Sequence, residues 1–199
     1  MSDGPGTAAP AGTDDGDGRR RGARVGVDVG SVRVGLAASD PDGIVATPVE
    51  TVPRDAVGWG RYSRSRGPLP ADVARIAAEV ADRFAAVVYV GLPRHLSGAE
   101  GSASEAARVY AEALASAVAP VPVRLVDERM STVSAHQALH ASGRSGRRHR
   151  QVVDQAAAVV ILQSALEAER AGGSRAGERV VDPAPPARGV AGDGETTER

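Results

Sequence analysis

The chain has 199 residues, room for one domain of ordinary size, with a net charge of −1 and no cysteine. Those figures exclude a disulfide framework, a thiolate metal centre and a global basic footprint for nucleic acid. No apolar run approaches the roughly 18 residues that span a bilayer, and the N-terminus lacks the apolar segment of a secretory signal, so a cytoplasmic protein without a membrane partner is expected.

Residues 1–23 are rich in Gly, Ala, Asp and Pro, carry no periodicity, and read as a disordered tail. The first strand is expected at Val25–Val29, where valine alternates with Gly26, Asp28 and Gly30. A tight turn at Gly30–Ser31 leads to a second strand at 33–39. Asp40-Pro41-Asp42-Gly43 is a strong turn signal, and a third strand follows at 44–52. Residues 53–69 read as a loop. A helix is expected over 70–84, with Val73, Ile76, Ala77, Val80 and Phe84 on one stripe. Ala86–Val90 is wholly apolar, as a buried central strand should be, and Gly91-Leu92-Pro93 ends it. A second helix covers about 102–118, and a strand at 123–126 ends at Asp127-Glu128. A third helix begins near Ser131, breaks at Gly143–Gly146, and a last helix covers about 151–168. Residues from 171 onward read as a second disordered tail, leaving a folded unit of 24–170.

Three consecutive strands and then alternating helices and strands imply a mixed sheet with helices on both faces. The expectation is an α/β fold, a ribonuclease-H-like arrangement of five strands.

Asp28, Glu128 and Asp154 stand at three separated points of the sequence, each among residues that read as core. A carboxylate beside packed apolar side chains is costly unless something neutralises it. Three converging carboxylates suit a hard cation, Mg²⁺ or Mn²⁺, and such ions do phosphodiester chemistry. Asp28 lies between two glycines that leave room for a close neighbour. Glu128 follows a strand at the end where ligands gather in α/β sheets. Each also has a plainer reading: a solvated strand position for Asp28, a helix-capping acid for Glu128, a first-turn acid for Asp154.

Four strings, GVDVGSVRVGLAASD, VGLPRHLSGAEGSAS, LVDERMSTVSA and VVDQAAAVVILQSAL, resemble in their order the YqgF/RuvX family over residues 24–168. The resemblance implies a ribonuclease-H-like nuclease that processes the 5′ end of precursor 16S rRNA in ribosome biogenesis, or else resolves Holliday junctions. It implies that Asp28, Glu128 and Asp154 are the catalytic, metal-holding residues. Val32 stands where family members often have lysine, and Ser97 where many have aspartate, while Arg33 and Gly35 remain.

Net charge hides local clusters. Residues 24–170 carry 17 Arg against 16 Asp and Glu, a balance of +1. Arg144, Arg147, Arg148 and Arg150 fall within seven residues beside Asp154. They read as a phosphate clamp, with Arg33 and Arg129 as further contacts. Arg61, Arg64 and Arg66 surround Tyr62, which could stack on a base. All 24 basic residues are arginine, a mark of GC-rich coding rather than of function. Glu100 is a candidate fourth carboxylate. His136 and His140 share a helix face but lack a third ligand. The expected partners are precursor rRNA or branched DNA, and a ribosomal particle. The chain is expected to act as a monomer or a homodimer, a junction resolvase requiring the latter. A non-catalytic assembly factor is the rival outside enzymes. The VDVGS string also suggests an actin-like ATPase, which needs two related domains.

Overall fold

A computed structural model describes residues 21–65, 67–95, 97, 99–128 and 147–181, leaving aside the side chains of 63–65 and 147–154. Its strands are β1 (Arg24–Val29), β2 (Arg33–Ser39), β3 (Ala46–Pro53), β4 (Val87–Leu92), β5 (Val123–Asp127) and β6 (Glu178–Arg179). Its helices are α1 (Ala56–Ser65), α2 (Ala71–Asp82), α3 (Ser102–Val118) and α4 (Arg147–Gly172). They form one sheet of order β3-β2-β1-β4-β5-β6. β1, β4 and β5 are parallel, while β2, β3 and β6 run antiparallel to their neighbours.

The sequence dictates most of this. Asp40 accepts backbone N–H bonds from Asp42, Ile44 and Val45 at 2.8–2.9 Å, and Gly43 takes φ +70°, which closes the turn between β2 and β3. β4 is buried along its whole length, as its unbroken apolar run requires. On one face Val25, Val27, Val88 and Val90 pack with Val73, Ile76 and Val80 of α2 and Tyr110 and Leu114 of α3. On the other, Ala37, Tyr89 and Val126 pack with Ala158, Leu162, Ala165 and Leu166 of α4. Helices therefore cover both faces, and the mixed, ribonuclease-H-like sheet expected from the sequence is present.

Three expectations need correction. Among the described residues the sheet has six strands, not five. The sixth comes from the segment read as a disordered tail: β6 pairs with β5 through Arg124↔Arg179 and Leu125↔Glu178. Arg124 fastens it by donating to the carbonyls of Ala176 and Gly177, each at 2.6 Å. Residues 56–65 are helical rather than loop. Asp55 caps that helix, its Oδ1 accepting the Gly58 N–H at 2.8 Å, and Trp59 anchors it to the core. The last helix starts at Arg147, ahead of the expected 151. The helix expected from Ser131, its break at Gly143–Gly146 and residues 1–20 of the N-terminal tail lie outside the described residues. Gly22 of that tail donates to the Pro41 carbonyl at 3.2 Å, and Ala23 is buried.

Candidate active site

Parallel β1, β4 and β5 bring their carboxyl ends to one edge of the sheet. Register levels Val27 with Val90 and Leu125. Asp28 is one step further along β1, and Glu128 comes directly after β5. On its other side Asp28 pairs with Gly35 of β2.

Two glycines decide what approaches this edge. A Cβ on Gly91 of β4 would lie 2.6 Å from Glu128 Oε1 and 2.6 Å from Ile161 Cδ1. The Glu128 carboxylate therefore rests over the β4 backbone, in space that a side chain at 91 would fill. A Cβ on Gly26 would lie 2.7 Å from Leu162 Cβ and 3.0 Å from the Ala158 carbonyl oxygen. The room beside Asp28 thus admits a helix: α4 crosses β1 at van der Waals distance. Asp154 precedes Ala158 by one helical turn, on the line that runs through Ala158 and Leu162. Gly26 and Asp28 share a face of β1, and Arg24 at the start of β1 meets Glu169 near the end of α4. α4 therefore runs back along β1, and positions 28 and 154 fall at the same end of their contact. The Asp154 side chain is outside the described residues.

The electrostatics of the pair are unusual. Burial pushes the Glu128 carboxyl up to about 7, and the negative charges of Asp28 and Asp127 push the same way. Asp28 and Glu128 are thus close enough to repel. Two carboxylates held together in a partly buried site form an oxygen donor set that a hard divalent cation would stabilise. Among the described residues no group of three such ligands is found.

Other expected site residues fare differently. Arg33 opens β2, opposite Pro53, and is half-buried. Arg129 and Arg144 lie outside the described residues. Arg147, Arg148 and Arg150 occupy the first turn of α4, their side chains outside the description. Glu100 is engaged elsewhere: Arg108 donates to it at 2.8 Å and Arg94 at 2.9 Å, and chiefly Arg108 holds its carboxyl below the usual range. Arg94 in turn comes within 3.8 Å of Asp127. Glu100 therefore belongs to an ion-pair chain flanking the edge. Of the Arg61–Arg66 group, Arg61 and Tyr62 lie on α1, where Tyr62 meets Trp59 edge to face at 5.9 Å. His95 packs against Gly101, at the start of α3, while His136 and His140 lie outside the described residues.

Gly91 was not singled out in the sequence. Its one signal was a glycine closing an otherwise apolar strand, a pattern that also fits a plain strand end.

A family model described as "RuvX: Holliday junction resolvase" matches residues 22–168. A Streptomyces coelicolor protein named "Putative pre-16S rRNA nuclease" is 52% identical over 166 residues, covering 83% of this chain and 92% of its own length. A Nocardioides protein of the same name is 54% identical over 165 residues, covering 82% and 99%. A solved structure of Thermus thermophilus RuvC with a Holliday junction substrate aligns over 77% of this chain and 98% of its own. It does so at 18% identity and a TM-score of 0.44.

Proposed function

The chain belongs to the RuvX family of nucleases, and from that premise we propose that it hydrolyses phosphodiester bonds of precursor 16S rRNA, trimming the 5′ end during ribosome biogenesis. The observation that carries the reading is the pairing of Asp28 with Glu128 over Gly91, with the Glu128 carboxyl raised to about 7. A perturbed carboxylate beside a second acid at the carboxyl ends of parallel strands is what such chemistry needs. Relatives above 50% identity that carry the rRNA name favour RNA as substrate.

Asp28 and Glu128, with Asp154 from α4, would hold one or two Mg²⁺ or Mn²⁺ ions. When bound, such ions polarise the phosphate, activate water and steady the leaving oxygen. The protein's own share is geometric and electrostatic. β1 and β5 fix two carboxylates at one edge, Gly91 leaves space for the second, and Asp154 of α4 would supply the third. Glu128, whose carboxyl is raised first by burial and then by the charges of Asp28 and Asp127, would lose its proton on holding a cation, since the cation's charge offsets both effects. Arg33, Arg129, Arg144, Arg147, Arg148 and Arg150 would hold backbone phosphates and fix register without reading sequence. No described helix is long and apolar enough to cross a membrane, and the rRNA reading assigns the protein to the cytoplasm with a ribosomal particle as partner.

A second reading has its own support, since the family model's description names Holliday junction resolution. One experiment separates the two. A labelled precursor rRNA 5′ leader and a four-way DNA junction are incubated in parallel with Mn²⁺, Mg²⁺ or EDTA. Cation-dependent cutting of the RNA alone is expected. Paired symmetrical cuts in the junction alone, by a dimer, would replace the rRNA reading. Binding with no cleavage of either by folded protein would leave an assembly factor.

A further inference from the structure

Arg54 is the first residue past β3, and it reaches in two directions. Its backbone N–H donates to the Val32 carbonyl at 2.9 Å. Its Nη1 donates to the Gly30 carbonyl at 3.3 Å. Residue 54 thus holds the β1–β2 turn at two points, one on each side of Ser31. The turn has little slack of its own, since a Cβ on Gly30 would lie 2.6 Å from the Arg33 carbonyl oxygen.

The other side of Arg54 is locked in the core. Its guanidinium lies against two rings, 5.1 Å from the centre of Trp59 and 4.8 Å from that of Tyr110. Its Nε is 3.1 Å from Asp72 Oδ2, on a side chain with 0% exposure. Trp59 Nε1 donates to the same oxygen at 3.0 Å. Trp59 belongs to α1, Asp72 to α2 and Tyr110 to α3. One planar cation therefore ties three helices of one face to the turn that follows Asp28. A buried ion pair contributes little net stability compared with apolar packing. Two aromatic faces and a buried carboxylate are an elaborate seat for a cation that serves stability alone.

We propose that Arg54 is a positioning residue for the phosphodiester chemistry: through Gly30 and Val32 it fixes the turn that joins Asp28 to Arg33. This rests on the nuclease reading, which gives those two residues their roles. A loosened turn leaves a cation-holding carboxylate and a phosphate-holding arginine without a fixed separation.

The test uses the full chain and two variants. Arg54→Lys keeps a positive charge beside Asp72 but loses the planar stack and the fork that reaches Gly30. Asp72→Asn keeps an acceptor for Trp59 and removes the anchoring charge. Amide hydrogen exchange, Tm and Mn²⁺-dependent cleavage of the precursor rRNA leader are measured for each. In Arg54→Lys, exchange at Ser31–Arg33 should quicken while β1 and β4 amides stay protected, and kcat should fall roughly 10-fold with KM nearly unchanged. Asp72→Asn should show the same pattern, weaker. Gly30→Ala moves the turn without touching the helices and should reproduce the fall in kcat. Unchanged exchange at the turn, protection lost evenly across the sheet, or full activity in Gly30→Ala would overturn the proposal. If wild-type protein cuts no nucleic acid with any cation, the nuclease reading fails instead, and the exchange data still decide whether Arg54 pins the turn.

Discussion

Two glutamates, Glu169 buried and Glu128 half-buried, lie on opposite sides of the same balance. Glu169, 3% exposed, sits near the end of α4. Burial alone would raise its carboxyl. A hydrogen bond from Tyr89, another from Arg175 at 2.9 Å, and the charges of Arg175 and Arg24 outweigh burial and hold it low. Glu128 is half-buried, and burial raises its carboxyl too, but the charges that act on it are Asp28 and Asp127, which add to the cost. The neighbours of one carboxylate favour its ionised form; those of the other oppose it, and on the proposed function a bound cation would reverse that. Burial alone therefore does not set the charge of an acid here; the sign of its neighbours does.

The largest expected effect is on cleavage. Asp28→Asn keeps the shape of the site and removes a charge, so kcat should fall about 10³-fold or more with an unchanged circular dichroism spectrum. Near-wild-type activity would remove Asp28 from the site. On the compensated side, Glu169→Gln leaves Arg24 and Arg175 facing an amide and should cost about 3 kcal/mol in urea unfolding. Cleavage at low temperature should be spared. Loss of cleavage with stability intact would make the two glutamates alike and break the contrast.

The pH dependence carries the same contrast. Between the ordinary carboxylate range and about 7, folded Glu128 binds more proton than unfolded Glu128. Stability of the cation-free protein should therefore fall as pH rises through that window. Glu128→Gln should remove the fall, leaving the variant more stable at pH 8 by about 2 kcal/mol. Glu169 has the opposite sign: its folded value is lowered, so its contribution is full above the ordinary range and is lost as pH drops through the folded value. Urea titrations of the wild type and the two Gln variants, from well below the ordinary carboxylate range up to pH 8, read both slopes. A smaller effect is expected at Gly91→Ala, whose methyl would displace Glu128 and weaken cleavage about 10-fold with the fold intact. The smallest is at Glu100→Gln, an exposed ion-pair partner, where no measurable change in Tm is expected.

The central strands were legible because their apolar pattern repeats every two residues or runs unbroken, as at Val25, Val27 and Val29 or across β4. The turn at Asp40–Gly43 was legible because its chemistry is local. α1 was not: Gly58 and Gly60 break the helical pattern, and the helix depends on the Asp55 cap and on Trp59 packing against residues remote in sequence. β6 was not either, since two residues carry no period. It exists because β5 offers an edge and Arg124 a clamp. In the site, Asp28 and Glu128 were visible as charges among apolar neighbours. Their mutual repulsion, and the role of Gly91 in making space for one of them, exist only once β1, β4 and β5 are aligned.

The most direct test of the carboxylate pair is Mn²⁺ titration calorimetry at pH 6 in two buffers of different ionisation enthalpy, on wild type and Glu128→Gln. The expected result is binding by the wild type with release of close to one proton, and binding by the variant that is weaker and releases none. Equal affinity and equal proton release in both would contradict the account, because Glu128 would then neither hold the cation nor carry the raised proton.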